Sequence, residues 1–205
     1  MIKDKISEII NYESFAVSQI PITDDYQKAI ELLYERVHHL NGKVVASGMG
    51  KAGQIALNIA TTLSSTGTPS IFLHPADAQH GDLGVLQKND ILLLISNSGR
   101  TNEIIHLLEL THNLVGEIPK IVISGNKESI LAKNANAFLY TGNPKEVCPL
   151  GLSPTTSTTV MTVIGDILVS LMIEKIGFTA EEYAKRHHSG YLGQKSREIN
   201  KNNKK

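Results

Sequence analysis

Apolar side chains recur along the chain with two different periods, and the switches between them mark out its elements. Ile2, Ile6, Ile9, Ile10 and Phe15 fall at helical spacing over residues 2–20, and Tyr26, Ile30, Leu32, Leu33, Val37 and Leu40 do the same over 24–40. Asn41-Gly42 ends the second helix, and residues 43–47 (KVVAS) read as a short strand. A helix with Ile55, Ile59, Ala60 and Leu63 follows, then Thr66-Gly67-Thr68-Pro69 breaks the chain. Further strands are predicted at 70–74, 91–95, 120–124 and, with a weaker pattern, 138–141. Between them lie a short helical or looped segment ending at Gly81-Asp82-Leu83-Gly84 and a helix through Ile104, Leu107, Leu108 and Leu110. Residues 154–176 predict one long buried helix and 179–186 begin another. Strands alternating with helices predict an α/β fold: a three-layer αβα sandwich whose five-stranded parallel sheet is covered on both faces.

Composition narrows the partners more than the fold. At 205 residues the chain suits one domain, drawn here over 1–195. Residues 196–205 are expected to form a disordered basic tail, since 200–205 hold only Asn and Lys. Lys+Arg and Asp+Glu number 20 each, so no overall charge draws the chain to nucleic acid or an anionic membrane. The run 155–173 is apolar enough to test as a membrane span, but Asp166 and five Ser/Thr residues at its start favour a core helix. Cys148 stands alone, and Met1-Ile2-Lys3-Asp4 lacks the apolar centre of a signal peptide, so the cytoplasm is the expected compartment.

Two strand ends carry the candidate chemistry. After the strand ending at Ile95 come Ser96, Asn97, Ser98, Gly99, Arg100 and Thr101, then a helix. Three hydroxyls, a glycine and the first free amides of a helix make an anion cradle suited to phosphate, although serines there could also serve only as caps. After the first strand, Gly48-Met49-Gly50-Lys51-Ala52-Gly53 matches the dinucleotide pattern G-x-G-x-x-G. That reading expects an acidic residue at the end of the second strand, where this chain has His74-Pro75 with Asp77 beyond. The Walker pattern fails as well, because Lys51 is followed by Ala52.

Four segments together resemble a known family. They are Gly48 to Gly53, His74-Pro75-Ala76-Asp77-Ala78-Gln79-His80-Gly81-Asp82-Leu83-Gly84, Ile95-Ser96-Asn97-Ser98-Gly99, and the stretch 145–159, KEVCPLGLSPTTSTT. The chain, over roughly residues 5–195, resembles the sugar isomerase (SIS) domain of D-arabinose-5-phosphate isomerases. Ser-x-Ser-Gly alone marks a phosphosugar-binding SIS domain; the HGDLG and CPLGL segments point to this branch and away from isomerases of other phosphosugars. The resemblance implies a flavodoxin-like fold and interconversion of D-ribulose 5-phosphate and D-arabinose 5-phosphate, which supplies 3-deoxy-D-manno-octulosonate (Kdo) for lipopolysaccharide or capsule. It also implies a homotetramer. Two departures are visible. The CBS modules common in the family do not follow within the sequence, and the family's His-Pro-Gly-Gly is here His187-His188-Ser189-Gly190.

Aldose–ketose isomerisation through an enediol needs a phosphate grip, a polarising group and a base, and no redox cofactor; none is expected. Ser96, Ser98 and Thr101, with amides of Asn97 and Gly99, are the phosphate candidates. Lys51 could stabilise the enediolate oxygen or grip the substrate, and the resemblance implies that it is catalytically important. Gly50, Thr155, Thr156 and Ser157 are further substrate-binding candidates. Glu103 sits in a first helical turn, where the dipole favours it regardless of chemistry. Glu146 has no helix terminus in the predicted scheme to explain it and is the preferred base, with Glu103 left open; either would need its pKa raised toward neutrality by burial. His80 and His187 are candidates for ring opening or proton shuttling, His187 entering, by family analogy, from a neighbouring subunit. His38 and His39 read as surface residues. His74, His80, Asp82 and His187 fit no strong zinc spacing, so no metal is expected as a cofactor. A non-catalytic SIS module that senses a phosphosugar or Kdo metabolite is the rival reading; it would need the cradle but not Lys51, the glutamates and the histidines together.

Overall fold

A computed structural model describes residues 1–202, and the side chains of residues 1–199. Five parallel strands, β1 (Val44–Gly48), β2 (Ser70–Phe72), β3 (Ile91–Ile95), β4 (Lys120–Ser124) and β5 (Ala137–Tyr140), lie in the order β2-β1-β3-β4-β5. The pleat sends alternate residues to opposite faces. Val44, Ala46, Ile91, Leu93, Ile95, Ile121 and Ile123 pack with α1 (Ile2–Ser18), α2 (Asp25–Leu33), α3 (Gly50–Ser65) and α7 (Thr156–Lys175). Val45, Leu92, Leu94 and Val122 pack on the other face with residues of α4 (Pro75–Ala78), α5 (Asn102–Val115) and α6 (Ile130–Lys133). Both sheet faces are therefore dry, which is why the central strands read as unbroken apolar runs. The three-layer parallel α/β prediction holds.

Several elements differ from the sequence expectation, each for a local reason. The second helix gives way at Tyr34–His39 to a π-helical stretch, and there His38 is half buried, its Nε2 3.2 Å from Thr68 Oγ1. Burial pulls its pKa below the usual histidine range, so it is not a simple surface residue. The predicted strand 70–74 stops at Phe72 because Pro75 opens α4. On α1 the stripe that predicted burial is outward: Ile2, Ile6, Ile10 and Phe15 are exposed, and Ala16 is the buried residue. The long apolar helix α7 is a core helix, with Val160, Met161, Ile164, Leu168 and Met172 buried against α3 and the sheet. Residues 196–202, expected to be disordered, continue α9 (Gly190–Asn202) after α8 (Ala180–Arg186). Leu192, Ser196 and Ile199 lie at helical spacing and line an apolar hollow with Ile173 and Phe178; of the three, Ser196 is buried and the two apolar side chains stay exposed. The rest of the tail, 203–205, lies outside the described residues.

β1 connects onward to β2 on one side, while β3 lies on its other side, so the loops leaving β1 and β3 diverge. Open parallel sheets take ligands at that switch point, beyond the strands' carboxyl ends. The opposite end of the same seam is closed by charge. Asp90 is fully buried, accepting Lys43 Nζ at 2.7 Å, the Lys43 amide at 3.0 Å and the Gln87 amide at 2.8 Å.

Candidate active site

At the switch point a cavity of about 290 Å³ opens between the turn after β1 and the turn after β3. Met49, Lys51 and Ala52 form one wall, Ser96, Asn97, Ser98 and Thr101 another, and Pro154, Ser157, Thr158 and Met161 of the α7 end close it.

The β1 turn is set by close approach of backbone to backbone. A Cβ on Gly53 would stand 2.5 Å from the Gly48 carbonyl oxygen, so only glycine lets α3 start directly over the strand end. Lys51 then falls in the first turn of α3, exposed and without an ion-pair or hydrogen-bond partner among the described residues. The β3 turn is tighter still. Gly99 has φ +60°, and a Cβ there would meet Ser129 Oγ at 2.1 Å. Ser96, buried, accepts the Gly99 amide at 3.1 Å and shares a hydrogen bond with Thr101 Oγ1 at 2.8 Å. Thr101 occupies the cap position of α5 yet makes no side-chain cap bond, so its hydroxyl serves the turn and leaves the first α5 amides without an intrahelical partner. Ser98 and Asn97 are exposed at the rim; the Asn97 carbonyl is tied to the Gly125 amide at 3.0 Å. The result is a turn of hydroxyls and free helix amides, a grouping suited to anions, in one cavity with Lys51.

The remaining candidates divide. Ser157 lines the cavity; Gly50, with φ +57°, is exposed in the turn but not in the lining. Thr155 and Thr156 are outside the lining and are engaged in hydrogen bonds at the α7 end. Glu146 does have a helix terminus to explain it, contrary to the sequence reading. Its Oε2 accepts the Thr155 amide at 2.7 Å, the Thr155 hydroxyl at 2.9 Å and the Ser157 amide at 3.2 Å. Burial pushes its pKa up, but the bonds from Ser157 and Thr155 outweigh that and hold it below the ordinary carboxylate range, the reverse of the expected upward shift. Glu146 thus stands one hydrogen bond behind the cavity wall.

Glu103, half buried in the first turn of α5 two residues from Thr101, has no hydrogen-bond or ion-pair partner among the described residues. His80 is exposed just after α4, outside the lining. His187 ends α8, its ring stacked on Tyr183 at 3.7 Å, and is likewise not part of this cavity within one chain. His74, His80, Asp82 and His187 do not gather: among the described residues no three His, Cys, Asp or Glu side chains are placed to share a metal ion. Sequence reasoning missed Thr158, although the hydroxyl run 155–159 at a helix start was a usable signal. It also missed Tyr12 and Glu13 of α1, which bond to residues 145 and 156 and carry no local signal at all.

Comparison with known proteins finds relatives along most of the chain. The profile of the SIS domain matches residues 39–171. Arabinose 5-phosphate isomerase KdsD of Pseudomonas aeruginosa is 49% identical over 174 residues, covering 85% of this chain and 52% of that protein. The chain thus spans about half the length of the curated relatives it matches. Among solved structures, a Bacteroides fragilis protein described as a candidate phosphosugar isomerase involved in capsule formation is 60% identical with a TM-score of 0.92, covering 93% of this chain and all of that one. An Escherichia coli CFT073 protein in complex with arabinose 5-phosphate is 34% identical with a TM-score of 0.84, covering 91% of this chain and 97% of that chain.

Proposed function

The chain belongs to the SIS domain family, and from that premise we propose that it interconverts D-ribulose 5-phosphate and D-arabinose 5-phosphate through an enediol. The observation that carries this reading is the cavity at the β1/β3 switch, where a hydroxyl-lined phosphate cradle faces a lysine left unpaired among the described residues. At about 290 Å³ it is at the small end of ligand sites, in keeping with a five-carbon phosphosugar. Ser96, Ser98, Thr101 and neighbouring amides hold the phosphate. Lys51 stabilises the negative oxygen that develops as the carbonyl enolises. Glu146, ionised and fixed by the α7 end, moves the proton between C1 and C2, while the segment 148–153, exposed at Leu150 and Leu152, folds over the sugar. Glu103 supplies a second carboxylate beside the cradle. His80 and His187 act in ring opening, His187 from a neighbouring subunit of a homotetramer, and the work is done in the cytoplasm. The relatives' names support a product destined for Kdo, in lipopolysaccharide or capsule assembly.

Incubation with ribulose 5-phosphate in heavy water tests the reading. Deuterium should appear at C2 of arabinose 5-phosphate and be lost in Glu146→Gln; loss in Glu103→Gln instead would transfer the role of base. Phosphosugar binding without turnover would leave a sensor module and overturn the enzyme.

A further inference from the structure

The segment around Glu146 is hydrogen-bonded to a helix that begins more than a hundred residues earlier. The peptide amides on either side of Glu146 both lead to α1. On one side the Lys145 amide donates to the Tyr12 hydroxyl at 3.0 Å. On the other, the Val147 amide donates to Thr156 Oγ1 at 3.1 Å, and that buried hydroxyl donates in turn to Glu13 Oε1 at 2.7 Å. The Glu146 carboxylate is meanwhile held by Thr155 and Ser157. Backbone and side chain are therefore clamped together: Lys145 directly from α1, Val147 through an α7 hydroxyl that Glu13 of α1 orients, and the carboxylate from the start of α7.

We infer that Tyr12 and Glu13 are positioning residues for Glu146, setting the orientation of the 145–147 segment through the Tyr12–Lys145 and Glu13–Thr156–Val147 hydrogen bonds. Stability alone is a poor explanation of Glu13. Its second oxygen, Oε2, is buried with no hydrogen-bond partner among the described residues, an arrangement that costs free energy. Apolar side chains would attach the helix more cheaply, since replacing buried polar contacts with packed hydrocarbon is often neutral or stabilising. Yet α1 buries little beyond Ala16, and its polar contacts lead, directly at Lys145 and through Thr156 at Val147, to the two residues that flank one carboxylate. A reacting group must be held to within a fraction of an ångström, and such contacts do that.

The inference rests on the isomerase reading, and its test separates the two. In Glu13→Ala the Thr156 hydroxyl loses its acceptor and turns, so hydrogen exchange at the Val147 amide should rise about tenfold. The turnover number should fall about 10- to 100-fold with KM nearly unchanged. Glu13→Gln, whose amide oxygen still accepts from Thr156, should restore both. Tyr12→Phe should raise exchange at Lys145 and lower the turnover number less. Unchanged exchange at Val147 in Glu13→Ala overturns the inference, as does a rate loss that Glu13→Gln fails to repair or that appears in KM. If Glu13→Ala does not fold, Tyr12→Phe decides through the same two measurements. Should the unmodified protein turn over no pentose 5-phosphate, the isomerase reading falls, and the exchange measurements alone decide the positioning.

Discussion

The β1–β3 seam ends in opposite ways. At its amino end, Asp90 and Lys43 neutralise each other in a site where Asp90 is fully buried and three donors converge on its carboxylate. At its carboxyl end, Lys51 has no partner among the described residues, and the hydroxyls of Ser96 and Thr101 bond chiefly to each other and to the Gly99 amide. The same residue types thus stand in two settings: a charge satisfied within the chain stabilises the fold, and a charge without a partner among the described residues at a preformed turn is available to a ligand.

Removing one partner of the closed end should give the largest stability effect. Asp90→Ala leaves an uncompensated lysine and two orphaned amides at the base of the sheet, and a loss of about 3–5 kcal/mol is expected in urea unfolding. The turnover of the fraction still folded should be near that of the unmodified protein. If turnover collapses while the fold survives, the two ends are coupled and the division of labour fails.

Lys51→Ala should invert that result. On the proposed mechanism its loss removes the group that stabilises the developing oxyanion, for which about 10²- to 10³-fold in kcat is the usual scale. The melting temperature should hold to within about 2 °C, because an exposed lysine with no ion pair among the described residues contributes little. A clear drop in melting temperature with kcat intact would make Lys51 structural. Ser96→Ala falls between the two. It strips the hydroxyl on which the Gly99 amide and Thr101 both depend, so about 1–3 kcal/mol of stability should go together with a rise in substrate KM. A change in only one of these would show that the cradle's shape and its ligand contacts are separable.

How much of this contrast was legible beforehand depends on the range of the interactions. The central strands and the β3 turn were readable because their causes are local: apolar runs, a glycine where φ must be positive, hydroxyls next to it. The stripe on α1 misled because helical periodicity says that a face is apolar and not what covers it; those residues are exposed in the single chain. The α9 helix was hidden by its Asn/Lys end, although Leu192 and Ile199 carried the spacing. Glu146 was misjudged for a longer-range reason. Its donors, Thr155 and Ser157, are nine and eleven residues away, and nothing in the intervening CPLGL segment announces that the loop returns the glutamate to the start of α7. Glu13, 143 residues from Thr156, was beyond any local signal.

The smallest expected change concerns pH, and it bears on which end of the seam Glu146 belongs to. Its carboxylate is fixed by donors, as Asp90's is, yet it stands beside the open cavity. Burial works to raise its pKa, but the bonds from Ser157 and Thr155 favour the charged form more strongly, so the folded pKa lies below the unfolded value. The stabilisation is then fully present above the ordinary glutamate value of about 4.3 and is lost as pH falls through the lower folded pKa. Between pH 8 and 6 Glu146 should therefore neither titrate nor alter stability. An NMR titration of its carboxyl carbon should show a midpoint below about 4.3, and the destabilisation caused by Glu146→Gln should be constant over that interval and shrink only in acid. A midpoint near neutrality would mean that burial dominates after all and that Glu146 is poised rather than pinned. In that case the α7 end would have to release it before the sugar binds, and the rigid clamp from α1 would work against the reaction instead of for it.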